Sequence, residues 1–177
     1  ARQLGMENYR QLFSPDTELG RWLATRNTML RIGRNLFVHA GLSARLLERD
    51  LEMDTLNARM SEGLYRTSKE RREDPTLEFL YRSAGPVWYR GMVCTDEKYD
   101  PLTPEQTDAL LRRYDADRLL VGHTIFPDIS TFHDGRVIAV NVQNELNRRK
   151  NRGRAVLIEG SRISVVGNRG VKRVLEE

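Results

Sequence analysis

Two short apolar runs constrain what this chain can fold into more than any other feature. Leu36, Phe37 and Val38 run unbroken into His39, and Leu119, Leu120 and Val121 run into Gly122 and His123. Three consecutive apolar residues without polar alternation are what a strand covered on both faces presents. Each run opens a similar stretch, LFVHAGLS at 36–43 and LLVGHTIF at 119–126, with a histidine beside a small residue. Ligand sites in α/β proteins gather at the carboxyl ends of strands. Two of the chain's three histidines therefore stand where chemistry is expected.

The remaining pattern is α/β. Leu4, Tyr9, Leu12 and Phe13 recur at helical spacing over 1–13, and SPDTELGRWL predicts a second helix with Ser14 as cap and Pro15 at the first position. NTMLRI and LFVHA predict an antiparallel strand pair about the turn GRN. From Ser43, expected to cap the helix ARLLERD, to about Arg82 the pattern is helical and charged. Breaks are expected near Met53 and Asp54 and at Asp74 and Pro75, where proline restricts its predecessor. GPVWYRGMV, 85–93, reads as an irregular loop. LTPEQTDALLRRY predicts a helix capped by Thr103 with Pro104 first. RLLVGH, DISTFHDGRVIAVNV and GRAVLIEGSRISVVG predict four or five strands, with HDG and EGS as turns. The expectation is one domain over 1–177, a mixed β-sheet with flanking helices and a helical insert over about 43–84.

Composition narrows the function. Apolar runs are far too short to cross a bilayer. The single cysteine, Cys94, excludes an internal disulfide and Cys-rich zinc modules, and Asp96 and Glu97 beside it give no support to a thiolate. A net charge of +4 and a pI near 9.5 favour anionic partners. The densest basic run, NELNRRKNRGR at 144–154, carries Arg148, Arg149, Lys150 and Arg152 but no aromatic residue for base stacking. It reads as a solvated basic turn. A nucleic-acid or other polyanion-binding module is the alternative function this run keeps open. No Gly-rich phosphate cradle, dinucleotide fingerprint or serine nucleophile elbow occurs.

His39 and His123 admit two readings: core histidines, each satisfied by a backbone carbonyl, or two imidazoles at one sheet edge that begin a metal site. If they share an ion, their nearest nitrogens should lie about 3 to 4 Å apart. His133, in HDG, is expected to be exposed. Arg90, between glycines in the 85–93 loop, is read either as a salt-bridge partner or as a planar clamp for an anion such as phosphate.

Taken together, LFVHAGLS, GPVWYRG and LLVGHTIF resemble, in order and spacing, the last motifs of the calcineurin-like metallophosphoesterases, in the phosphoprotein phosphatase branch and nearest the bacterial Shewanella-like phosphatases. The resemblance implies a central β-sandwich flanked by helices, of which this chain is half of a four-layer αββα arrangement. It implies two divalent ions (Mn, Fe or Zn) in the intact family member, with His39 and His123 on the second and Arg90 as the catalytic, substrate-binding residue on the phosphate. It implies hydrolysis of a phosphorylated protein or small phosphomonoester by a metal-activated hydroxide. The family's Asp-x-His, Gly-Asp-x-x-Asp and Gly-Asn-His-Glu motifs are absent from this sequence. The chain, which opens on ARQLGMENYR without an initiator Met, therefore resembles the carboxyl-terminal part of a catalytic domain. It is expected to hold at most one partial metal site, to be inactive alone, and to leave an apolar face for the missing amino-terminal half. The compartment stays open between cytoplasm and periplasm.

Overall fold

The structure is a computed structural model that describes residues 8–176. Of the first predicted helix, Leu4 lies outside the described residues, and residues 8–12 are helical. Two sheets and a set of helices form the layers. The larger sheet contains β1 (Met29–Ile32), β2 (Asn35–Val38), β3 (Arg118–Val121), β4 (Ser130–Phe132) and β5 (Val137–Ala139), in the order β1-β2-β3-β5-β4. β2, β3 and β5 run parallel, while β1 and β4 pair antiparallel at the two edges. The smaller sheet is antiparallel: β6 (Ala155–Glu159), β7 (Arg162–Val166), β8 (Lys172–Glu176). The α/β class with a mixed sheet is as the sequence predicts.

Strand alternation divides the core in two. Leu36, Val38, Leu119, Val121, Val137 and Ala139 belong to the larger cluster, with the helical side chains Leu46, Leu56, Phe79, Leu80 and Leu110. The intervening residues Leu120 and Ile138 form a second cluster with Ile163 and Val165 of β7, and Phe37 packs against it. Side chains two apart share a face of a strand, so each central strand feeds both clusters. β3 and β5 are buried on both faces, but β2 is not: Leu36 and Val38 are buried and Phe37 only half so. The small sheet leaves part of this face uncovered. An apolar groove of about 700 Å³ opens there, walled by Leu30, Phe37, Leu120, Val140, Val156 and Ile158 and ending beside His39.

The helices are α1 (Glu18–Ala24), α2 (Arg45–Arg49), α3 (Met53–Gly63), α4 (Ser68–Arg72), α5 (Pro75–Tyr81), α6 (Pro104–Arg113) and α7 (Asn144–Arg149). The predicted break at Asp74 and Pro75 is a capped helix start: the Asp74 carboxylate accepts from Thr76 and Leu77 N–H, and Pro75 opens α5. Thr103 caps α6 as predicted, with Gln106 completing the reciprocal pair. Two local expectations need correction. α1 is capped by Thr17, whose Oγ1 accepts from Gly20 N–H at 3.0 Å, and not by Ser14, whose carbonyl instead accepts from Thr17 N–H. Ser43 caps nothing. It is fully buried and its Oγ donates to the Ala84 carbonyl at 2.8 Å. A further helix break, the Thr67–Glu70 capping box that opens α4, and the strand β8 are additions to the sequence reading.

The basic run is less free than a solvated turn. Its first half is α7; Arg149 pairs with Glu145, Arg152 donates to the buried Asn147 side chain, and Arg154 pairs with Asp128 at 2.7 Å. Among the described residues no helix is long and apolar enough to cross a membrane.

Candidate active site

Register creates the site. In the parallel β2–β3 pair Val38 stands opposite Val121, so both chains leave the sheet at the same level and on the same edge. His39 and Gly122 are the next residues on each, and Gly122 N–H donates to the His39 carbonyl at 2.8 Å. A Cβ on Gly122 would lie 3.2 Å from that same carbonyl, so the absence of a side chain lets the two strand ends close up. The turn is tight. Thr124 N–H donates to the Gly122 carbonyl at 2.6 Å across His123, whose φ is 60°. This three-residue turn with positive φ is rare and strained for a residue with a side chain.

The result is that His39 Nε2 and His123 Nδ1 lie 3.2 Å apart. Neither ring bonds to a backbone carbonyl; each has the other as its hydrogen-bond partner among the described residues. Two metal–nitrogen bonds of about 2 Å meeting at an angle between octahedral and tetrahedral span roughly 3 to 3.4 Å, so the pair fits as donors to one shared ion. Burial, then the Arg90 charge, then His39 pull the His123 pKa below its ordinary 6.5. Held neutral, it keeps a lone pair available for donation. His123 Nε2 is buried and has no hydrogen-bond partner among the described residues. Among the described residues no group of three or more His, Cys, Asp or Glu side chains is placed to hold a metal. The histidine pair is thus two donors without a third.

The 85–93 loop is fixed against this edge from two sides. The Pro86 carbonyl accepts from Ala40 N–H at 2.9 Å, and Gly41 lies so close to Tyr89 that a Cβ there would meet its carbonyl oxygen at 3.0 Å. Buried Ser43 holds Ala84 just upstream. So anchored, Trp88 packs edge-on to His123 with ring centroids 5.5 Å apart, and Arg90 Nη1 donates to Thr124 Oγ1 at 3.0 Å. Arg90 is half-buried and among the described residues has no carboxylate partner; the Tyr99 ring lies 6.0 Å from its Cζ. A partly buried guanidinium with unspent donors beside two imidazoles is an anion-binding arrangement.

The structure therefore brings together His39, His123 and Arg90, which lie on three separate segments of the sequence. His133 departs from its expected exposure. It is half-buried, bonded to Thr107 Oγ1 at 3.2 Å and to the Met92 carbonyl at 3.0 Å, and stands apart from the pair as a structural residue. Tyr99, which backs Arg90, carries no sequence signal, because only the loop's return brings it there.

No protein-family model matches the chain, and no curated protein does. Solved structures do. A cold-active protein tyrosine phosphatase superposes with a TM-score of 0.85 at 30% identity, over 96% of this chain and 48% of that one. The cold-active protein-tyrosine phosphatase of a psychrophilic Shewanella species gives 0.84 at 28% identity, over 95% of this chain and 48% of its own. The chain spans about half the length of the structures it matches. Over that half the chain is similar in fold and in sequence to these cold-active phosphatases.

Proposed function

We propose that this chain is part of a metal-dependent phosphomonoester hydrolase acting on phosphorylated protein, in which His39 and His123 bind one divalent ion and Arg90 holds the phosphate. The observation that carries this reading is the 3.2 Å approach of His39 Nε2 to His123 Nδ1 at the end of two parallel strands, with the Arg90 guanidinium alongside on Thr124. The likeness to protein-tyrosine phosphatases supports it and makes phosphotyrosine the substrate of first choice.

Each residue has a definite task. His39 reaches the shared position through Nε2 and His123 through Nδ1, and the desolvated, charge-biased surroundings of His123 keep its ring neutral for donation. Arg90, steadied by Thr124 and backed by Tyr99, presents planar N–H donors to two oxygens of a phosphoryl group. That clamp orients the ester and offsets the charge that builds on the oxygens as water adds to phosphorus and the ester P–O bond breaks. Trp88 shields one side of the histidine pair from solvent. A bound divalent ion, of Mn, Fe or Zn type, supplies a lowered pKa for water and a positive clamp on oxygen. The other ligands that the family uses belong to motifs absent from this sequence.

Calorimetric titration of the chain with Mn²⁺ or Zn²⁺ tests the reading. One weakly held ion per chain is expected, its uptake abolished in His39→Ala and in His123→Ala and retained in Arg90→Gln. No uptake by the wild-type chain, or uptake that survives both histidine substitutions, contradicts it.

A further inference from the structure

Arg90 belongs to the wall of a cleft that extends away from the histidine pair. The cleft encloses about 530 Å³ and has two kinds of wall. Trp88 and Tyr99 supply aromatic faces on either side of Arg90 in the sequence, and Trp88 is the same ring that packs against His123. Arg45, at the start of α2, and Arg82, just past the end of α5, supply charge. One carboxylate, that of Asp100, stands among the lining residues.

The balance of charge decides what such a cleft can hold. Arg45 is exposed and makes no ion pair among the described residues. Among the described residues Arg82 pairs with Glu78, at 3.3 Å, and its side chain stays 60% exposed. An exposed pair of this kind is worth well under 1 kcal/mol, so it yields readily to a better anion. Together with Arg90, the cleft carries three guanidiniums: Arg82 holds that one exposed pair, and among the described residues neither Arg45 nor Arg90 has a carboxylate partner. A cleft built for a lone phosphate would need only the one beside the histidines. Aromatic walls, moreover, contribute most when they face a flat, apolar ring.

We propose that this cleft is a specificity subsite for an aryl phosphate set in an acidic peptide. The ring lies against Trp88 and Tyr99 with its phosphate on Arg90, and Arg45 and Arg82 receive a neighbouring carboxylate of the same peptide. This rests on the reading of Arg90 as the phosphate clamp and adds to it a preference for acidic residues flanking the phosphorylated one. Arg45 and Arg82 touch no reacting atom; they select the substrate by its sequence.

The test uses the chain as it stands and two non-hydrolysable phosphotyrosine-mimic peptides carrying a phosphonate, one flanked by glutamates and one by alanines. Affinities are measured at low salt, where exposed charge pairs are least screened. The acidic peptide is expected to bind roughly three- to tenfold tighter, the range that two exposed ion pairs supply. In the Arg45→Gln/Arg82→Gln double variant that ratio should fall to about one. In Arg90→Gln both affinities should drop while the ratio persists. Equal binding of the two peptides by the wild-type chain, or a ratio that the double variant leaves intact, overturns the subsite and spares the clamp. A ratio that collapses in the double variant while Arg90→Gln changes neither affinity overturns the clamp and spares the subsite. Failure of either peptide to bind at all overturns both.

Discussion

Gly122 sets the separation of the two histidines, because its N–H bonds the His39 carbonyl from a distance that a side chain would obstruct. Gly122→Ala sets two small effects against each other. Removing a glycine from the unfolded ensemble stabilises by about 0.4–1 kcal/mol, while forcing a methyl against the carbonyl at 3.2 Å costs about 1 kcal/mol. The melting temperature should therefore hardly change while metal uptake weakens, a split that calorimetry on the two proteins reads directly. His123 offers a second check. Its folded pKa lies below the ordinary 6.5, so the unfolded chain binds its proton first as pH falls. The stability that the neutral ring contributes is complete above about pH 6.5 and is lost as pH drops toward the folded value. In metal-free protein, denaturant melts should show stability falling below pH 6.5, and His123→Asn should flatten that slope. The histidine positions are legible in the sequence because the apolar runs before them have only one sensible fate. The Arg90 contact with Thr124 is not: it spans 34 residues and depends on how the 85–93 loop is anchored.

Among elements, that anchoring is where local reading and structure part company. Ser43 precedes ARLLERD as a cap should, yet its hydroxyl goes to the Ala84 carbonyl, 41 residues away, because burial between α2 and the loop offers that acceptor and no water. Ser43→Ala leaves a partly buried carbonyl without its donor and should cost about 1 kcal/mol in chemical denaturation. It should also weaken phosphate binding, since the same segment carries Arg90; unchanged stability would show that the contact holds nothing. Thr17 displaces Ser14 as a cap for a related reason. Both offer an oxygen, but the chain turns through 13–16 so that Thr17 reaches Gly20 N–H. β8 escapes detection because Lys172 and Arg173 begin it and Val174 remains 45% exposed, so pairing with β7 and not any apolar pattern makes it a strand. The helices with proline at the first position, α5 and α6, are readable because the start signal is entirely local.

For the molecule as a whole, the small sheet covers one part of the second face of the large sheet and leaves the groove beside β1. β1 is an edge strand, and Leu30 and Ile32 stand 44% and 60% exposed on it. An apolar edge next to an apolar groove invites association. The chain should show concentration-dependent self-association in sedimentation, and Ile32→Lys, which places a charge on that edge, should shift it toward monomer; a wild-type chain that stays monomeric at high concentration argues against an adhesive face. The α/β class and its mixed sheet follow from strand and helix order, which is why they can be read in advance. The groove cannot be, since it depends on how far the β6–β8 sheet reaches across its neighbour.

The central claim is that His39 and His123 donate to one ion. Anomalous X-ray scattering from crystals of the chain grown with Zn²⁺ or Mn²⁺ tests it most directly. The account predicts a single anomalous peak between His39 Nε2 and His123 Nδ1, about 2 Å from each. A peak elsewhere, or none with the two rings still 3.2 Å apart and hydrogen-bonded to each other, contradicts it.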